Sequence, residues 1–152
     1  MHLAEEDAPR PYRKDFGRYE KIAQLPQRFC LENWAFFLAY DGKKPVGGAI
    51  VAARTPGVHM LEGRGDLCVL WDIRVAEEYQ SQGIGSRLFE RAAQWGRAQG
   101  MRQMKIESQN NNVRAAKFYA GKGAVLGAMN THAYQGEPEV AEEIQLIWYL
   151  DL

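Results

Sequence analysis

A chain of 152 residues, 46% of them apolar, is long enough to close a single core without disulfide or metal staples. Its 19 basic and 19 acidic residues cancel, which argues against general nucleic-acid binding, and no apolar run nears the roughly 20 residues a membrane span needs. The acidic start Met1–Asp7 lacks the apolar core of a secretion signal, so a cytoplasmic location is expected, with Cys30 and Cys68 as buried free thiols. His2, His59 and His132 are too scattered to suggest a metal.

Residues 1–30 give no clear element. Pro9 and Pro11 interrupt any regular run, and one or two short helices are expected within Asp15–Phe29, ending at Leu25-Pro26. The aromatic run Trp34–Tyr40 suits a strand, and Asp41-Gly42 turns it back into a second, Val46–Ala53. A loop carrying Pro56, Gly57, Gly63 and Gly65 leads to a third strand, Leu67–Val75. Strict alternation there puts Leu67, Val69, Trp71, Ile73 and Val75 on one face and Cys68, Leu70, Asp72 and Arg74 on the other. An amphipathic helix, Gly85–Gln99, follows with Leu88, Ala92 and Trp95 on its apolar stripe, and Gly100 stops it. Then come strand Met104–Ser108, helix Asn112–Ala120 running out at Gly121 and Gly123, strand Ala124–Ala128 and a last strand Ile144–Leu150. A hairpin followed by strands separated by helices predicts one α/β domain over residues 1–152, built on a mixed sheet.

The junction between the third strand and the first long helix carries the chemistry. Gln80-Ser81-Gln82-Gly83-Ile84-Gly85-Ser86 makes a glycine turn that leaves backbone N–H groups aimed at one point, with the positive end of the helix dipole behind them. Such a turn binds phosphate without a cationic side chain. A dinucleotide loop would need a third glycine where Leu88 stands, and a P-loop would need Gly-Lys-Ser/Thr where Ser86-Arg87 stands. What remains is Gln-x-x-Gly-x-Gly opening a helix. A second motif follows at Asn112-Val113-Arg114-Ala115-Ala116-Lys117-Phe118-Tyr119, where Asn112 is a good N-cap and Ala115 and Tyr119, four apart, share a face.

Together the two motifs resemble the GNAT superfamily of N-acetyltransferases. The resemblance implies an acyl-CoA N-acyltransferase fold: a mostly antiparallel sheet, splayed at the cofactor site and flanked by helices, with acetyl-CoA as the cofactor. It implies that Gln80, Ser81, Gln82, Gly83, Ile84, Gly85 and Ser86 form the pyrophosphate loop. Ile73, Arg74 and Val75 would pair main-chain groups with the pantetheine arm, Asn112 and Ala115 would lie beside it, and Tyr119 would lie beside the thioester sulfur. Glu107–Asn112, Trp71–Val75 and the ending Trp148-Tyr149-Leu150 look like streptothricin acetyltransferases and their bacterial relatives, over roughly residues 33–152. Two features depart from that pattern. Ala124 stands where the family usually has an aromatic residue, and the segment before the first clear strand is short, so elements of the acceptor site would be trimmed.

Acetyl transfer from a thioester to an amine needs a neutral amine, a stabilised oxyanion and a proton for the departing thiolate. A phenol keeps its proton at neutral pH, which makes Tyr119 the expected general acid. Glu107 and Asp72 compete as general base; Asp72 has a structural alternative in pairing with Arg74. Between Arg87 and Lys122 eight basic residues stand against Glu90 and Glu107, whereas Gly136–Glu143 holds four glutamates and no base. A positive half for an anionic cofactor and a negative loop for a cationic acceptor would suit amine acetylation, with ordinary solvated surface as the plainer account of the glutamates. The expected partner is a small-molecule primary amine, best named as a streptothricin-type antibiotic, attacking directly in a ternary complex near Trp34, His132 and Tyr134. A protein or peptide amine is the alternative acceptor, a non-catalytic CoA-binding sensor the alternative class, and a homodimer is implied by the resemblance alone.

Overall fold

The computed structural model describes residues 22–152, and all six strands expected from the sequence are present there. β1 (Ala35–Asp41) and β2 (Lys44–Ala53) form the hairpin, and Gly42 opens its two-residue turn at a φ of +59°, a left-handed angle that suits glycine. β3 (Leu67–Val75), β4 (Gln103–Gln109), β5 (Val125–Asn130) and β6 (Gln145–Asp151) follow. The helices are α1 (Leu25–Arg28), α2 (Ile84–Ala98) and α3 (Val113–Gly121).

Two expectations near the start need correction. Leu25-Pro26 does not end a helix but begins α1, because a proline in the first turn lacks only an N–H that has no partner there anyway. Cys30 is exposed, while Cys68 is fully buried, and burial pushes its thiol up to about 12. The rest of the reading of Asp15–Phe29, with Pro9 and Pro11, lies outside the described residues.

The strands make one sheet in the order β1-β2-β3-β4-β6-β5, antiparallel at every contact except β3 with β4. Inserting β6 between β4 and β5 puts the last strand in the sheet's interior. Leu146, Ile147, Trp148 and Leu150 are therefore all buried, on both faces of that strand. The larger core lies between the sheet and the helices, where α2 buries Leu88, Phe89, Ala92, Ala93 and Gly96. Phe89, 2% exposed, anchors it against Phe118 and Tyr119, and its removal would cost about 3–5 kcal/mol. A second core on the opposite face gathers Leu25, Trp34, Ile50, Ala52, Val58, Leu61 and Val69.

Two irregularities in β3 position the site. Ile50 pairs with Asp72 but Val51 with Leu70, so Trp71 is an extra residue, a β-bulge. The bulge reverses the alternation expected from the sequence. Ile73 and Val75 join Cys68 and Leu70 against the helices, and Asp72 falls opposite Ile50 of the second core. Next, β3 and β4 pair only from Leu67 with Gln103 to Leu70 with Ile106. Beyond that point β4 continues against β6, through Glu107, Ser108 and Gln109, and the sheet splays open.

Candidate active site

The wedge between the parting strands opens a cleft of about 850 Å³. Its floor is the end of β3, one side is the glycine turn with the N-termini of α2 and α3, and the other is the end of β4 with the loop 131–144.

On the first side, Gly83 takes a φ of +85° immediately before α2, a conformation that suits glycine far better than any residue with a Cβ. No side chain caps that helix, so the first-turn amides keep the free donors that every helix start presents. A Cβ added at Gly85 would sit 3.8 Å from Val75 Cγ2, in the cleft that both residues line. Ser81 also takes a left-handed φ, +63°, which costs a non-glycine residue of order 1–3 kcal/mol unless its surroundings hold it. Gln80 donates from Nε2 to the Val75 carbonyl at 3.1 Å, folding the turn back on the strand. Asn112 caps α3 as its sequence suggested: its Oδ1 accepts from the Ala115 amide at 3.1 Å. This side therefore offers uncapped main-chain donors and two helix N-termini, a donor set that fits a diphosphate.

Where α3 meets the floor, Tyr119 packs its ring against Phe89 and Phe118 and is 7% exposed. Burial, with the negative charge of Asp72 as a smaller cause, pushes its phenol up to about 12. Its hydroxyl has no hydrogen-bond partner among the described residues, yet no fully buried side-chain polar atom lacks one, so the hydroxyl reaches the cleft. Asp72 accepts from Arg74 Nε at 2.8 Å, which is the ion pair its sequence spacing allowed.

On the second side, Glu107 Oε1 accepts from the Tyr134 hydroxyl at 2.9 Å and from Gln145 Nε2. Gln109 Nε2 donates to the same Tyr134 oxygen at 3.1 Å, and burial drives that phenol above its ordinary range. The loop carrying Tyr134 is stapled to the β4–α3 connection. Ile144 donates its amide to Asn110 Oδ1, and Asn111 Nδ2 donates to Glu143 Oε1, both at 2.8 Å. Of the four glutamates in this loop, Glu137 and Glu143 line the cleft and Glu139 and Glu142 do not.

The structure thus gathers Asp72, Ile73, Arg74, Val75, Gln80, Ser81, Gly83, Gly85, Ser86, Glu107, Asn112, Ala115 and Tyr119 around one space. Gln82 and Ile84 are not on its lining: Gln82 Nε2 turns to the Glu78 carbonyl at 3.4 Å, and Ile84 packs against the larger core. Trp34 belongs to the second core, and His132 bonds with Thr131 outside the lining, so of the three acceptor-side markers only Tyr134 reaches the cleft. Trp71, Gln109 and Arg114 line it without having been singled out. The bulge that admits Trp71 carries no sequence signal, but Arg114 sits inside a motif already in view.

Residues 1–124 match a family model described as the acetyltransferase (GNAT) family. Streptothricin acetyltransferase A of Bacillus subtilis is 29% identical over 145 residues, covering 95% of this chain and 76% of its own length. The streptothricin acetyltransferase of Escherichia coli is 31% identical over 84 residues, which is 55% of this chain and 48% of that protein. Among solved structures, a Bacillus anthracis protein described as a streptothricin acetyltransferase, crystallised with acetyl coenzyme A, superposes with a TM-score of 0.69 at 28% identity. That match covers 79% of this chain but only 64% of the crystallised one.

Proposed function

Because the chain belongs to the acetyltransferase (GNAT) family, we propose that it moves the acetyl group of acetyl-CoA onto a primary amine of a small cationic molecule, of the streptothricin type. One observation carries this reading above the others: the Tyr119 hydroxyl, without a protein partner among the described residues, opens on the same cleft as the uncapped start of α2. Support for the acceptor class comes from the cleft's second side and from the streptothricin acetyltransferases to which the chain is similar.

Bound acetyl-CoA would supply an activated thioester. The amides of Gly83, Gly85 and Ser86 would hold its diphosphate, and Asn112, Ala115 and the main chain of Ile73–Val75 would line its arm. Everything else falls to side chains of this protein. Tyr119 stays protonated at any neutral pH, since its phenol is pushed up to about 12, and so holds a proton ready for the sulfur. Glu107 is the better general base of the two carboxylates. Asp72 already has its charge met by the Arg74 guanidinium, whereas neutral donors, Tyr134 and Gln145, hold Glu107. A cationic amine entering beside Glu107 meets a carboxylate with no basic partner among the described residues, which attracts the ammonium form and accepts its proton before attack. Glu137 and Glu143 extend the same sign along the entry. Asp72 then keeps the Tyr119 proton in place from the other side.

Calorimetry with acetyl-CoA, followed by a thiol-release assay over a panel of amines, tests the proposal. Saturable binding is expected, with turnover on small cationic di- and polyamines or a streptothricin and none on neutral monoamines or peptides. Binding without turnover on any amine would favour a CoA sensor and defeat the enzymatic reading.

A further inference from the structure

Of the eight basic side chains between Arg87 and Lys122, Arg114 alone lines the cleft. It stands in the first turn of α3, where the positive end of the helix dipole disfavours a cation and no acidic residue offsets it. Lys105 pairs with Glu62, and Lys122 with Glu90, each at 3.3 Å. Arg114 has no carboxylate partner among the described residues. Its two terminal nitrogens instead donate to neutral oxygens on the glycine turn: Nη1 to Gln80 Oε1 at 2.8 Å and Nη2 to Ser81 Oγ at 3.1 Å. Since Gln80 also donates to the Val75 carbonyl, the guanidinium completes a link from α3 through the turn to β3. It clasps the very residue, Ser81, that is held at a left-handed φ.

We propose that Arg114 is a binding residue for the diphosphate of coenzyme A, clasping the glycine turn from α3 and supplying the counter-charge that the turn's neutral amides lack. This rests on the cofactor reading above. A guanidinium carries five N–H donors, and the turn takes two of them, so further donors remain for phosphate oxygens. An uncompensated cation against a helix N-terminus is unfavourable alone and favourable with a dianion between them.

Arg114→Gln tests this. Affinity for CoA is read by calorimetry at low and high salt, and turnover is read with acetyl-pantetheine, which has the thioester arm and no diphosphate. The CoA Kd is expected to rise about tenfold and to lose much of its salt dependence. The kcat/KM for acetyl-pantetheine is expected to stay within about twofold, since charge recognition of the diphosphate is not used there. An unchanged CoA Kd, or an equal loss with acetyl-pantetheine, would reduce Arg114 to a support of the fold and overturn the proposal alone. A wild-type protein that binds no CoA would instead overturn the cofactor reading, and this inference with it.

Discussion

One side of the cleft is drawn from two short contiguous segments, Gln80–Ser86 and Asn112–Tyr119, and works largely through its main chain. The facing side assembles Glu107, Gln109, Tyr134, Glu137 and Glu143 from one strand and a loop, and works through side chains. The difference follows from what each would bind. A diphosphate and a pantetheine arm are invariant, so backbone donors at a helix start serve every case. An acceptor amine varies, and side chains on a loop change without disturbing the sheet beneath. Variants on the first side should therefore move cofactor affinity, and variants on the second should move acceptor parameters. Tyr119 stands at the seam, where both should meet.

The largest expected effect lies at that seam. Tyr119→Phe keeps the ring against Phe89 and Phe118, so folding and CoA affinity should hold, while kcat should fall about 100-fold through loss of a general acid. The pH profile adds a sign. Because the phenol is pushed up to about 12, its proton is retained through neutral and mildly alkaline pH, so it contributes no alkaline loss of activity there. Any fall in kcat seen in that range belongs to another group and should survive in the variant. Unchanged kcat in Tyr119→Phe would remove the residue from the chemistry.

Next in size is Gly83→Ala. Forcing an alanine to the φ of +85° costs about 1–2 kcal/mol, so either the turn shifts and CoA binds several-fold more weakly, or the fold absorbs the strain and Tm drops. Calorimetry and thermal melting read both. The KM for the amine should not change. If it moved as far as the CoA Kd, the two sides would not be separable in the way their construction suggests.

The same division explains what could be read from the sequence. Gln80–Ser86 and Asn112–Tyr119 are legible because turn and cap chemistry is local: Gly83 shows its positive φ, and Asn112 its capping role, within a few neighbours. Strand positions were legible for the same reason. The faces of β3 were not, because a bulge depends on the register against β2, and the extra residue at Trp71 reverses Ile73 and Val75 relative to strict alternation. Nor was the place of β6, since insertion beside β4 is a property of the whole sheet. Tyr134 reaches Glu107 across 27 positions of sequence, a contact no spacing rule contains.

That contact gives the smallest prediction and the sharpest test of the second side. Tyr134→Phe removes one donor from Glu107 and one acceptor from Gln109 Nε2, while the ring still fills its place in the loop. Lost orientation of a base by one neutral hydrogen bond is worth about 1 kcal/mol, which is roughly a fivefold loss in kcat/KM for the amine. The CoA Kd should stay where it was, because no bond from Tyr134 reaches the glycine turn or α3. Glu107→Gln, which removes the base itself, should exceed this loss, and the double variant should add little to it, since the hydroxyl acts through the carboxylate. Full additivity of the two would mean that Tyr134 contacts the acceptor directly and does not act through Glu107.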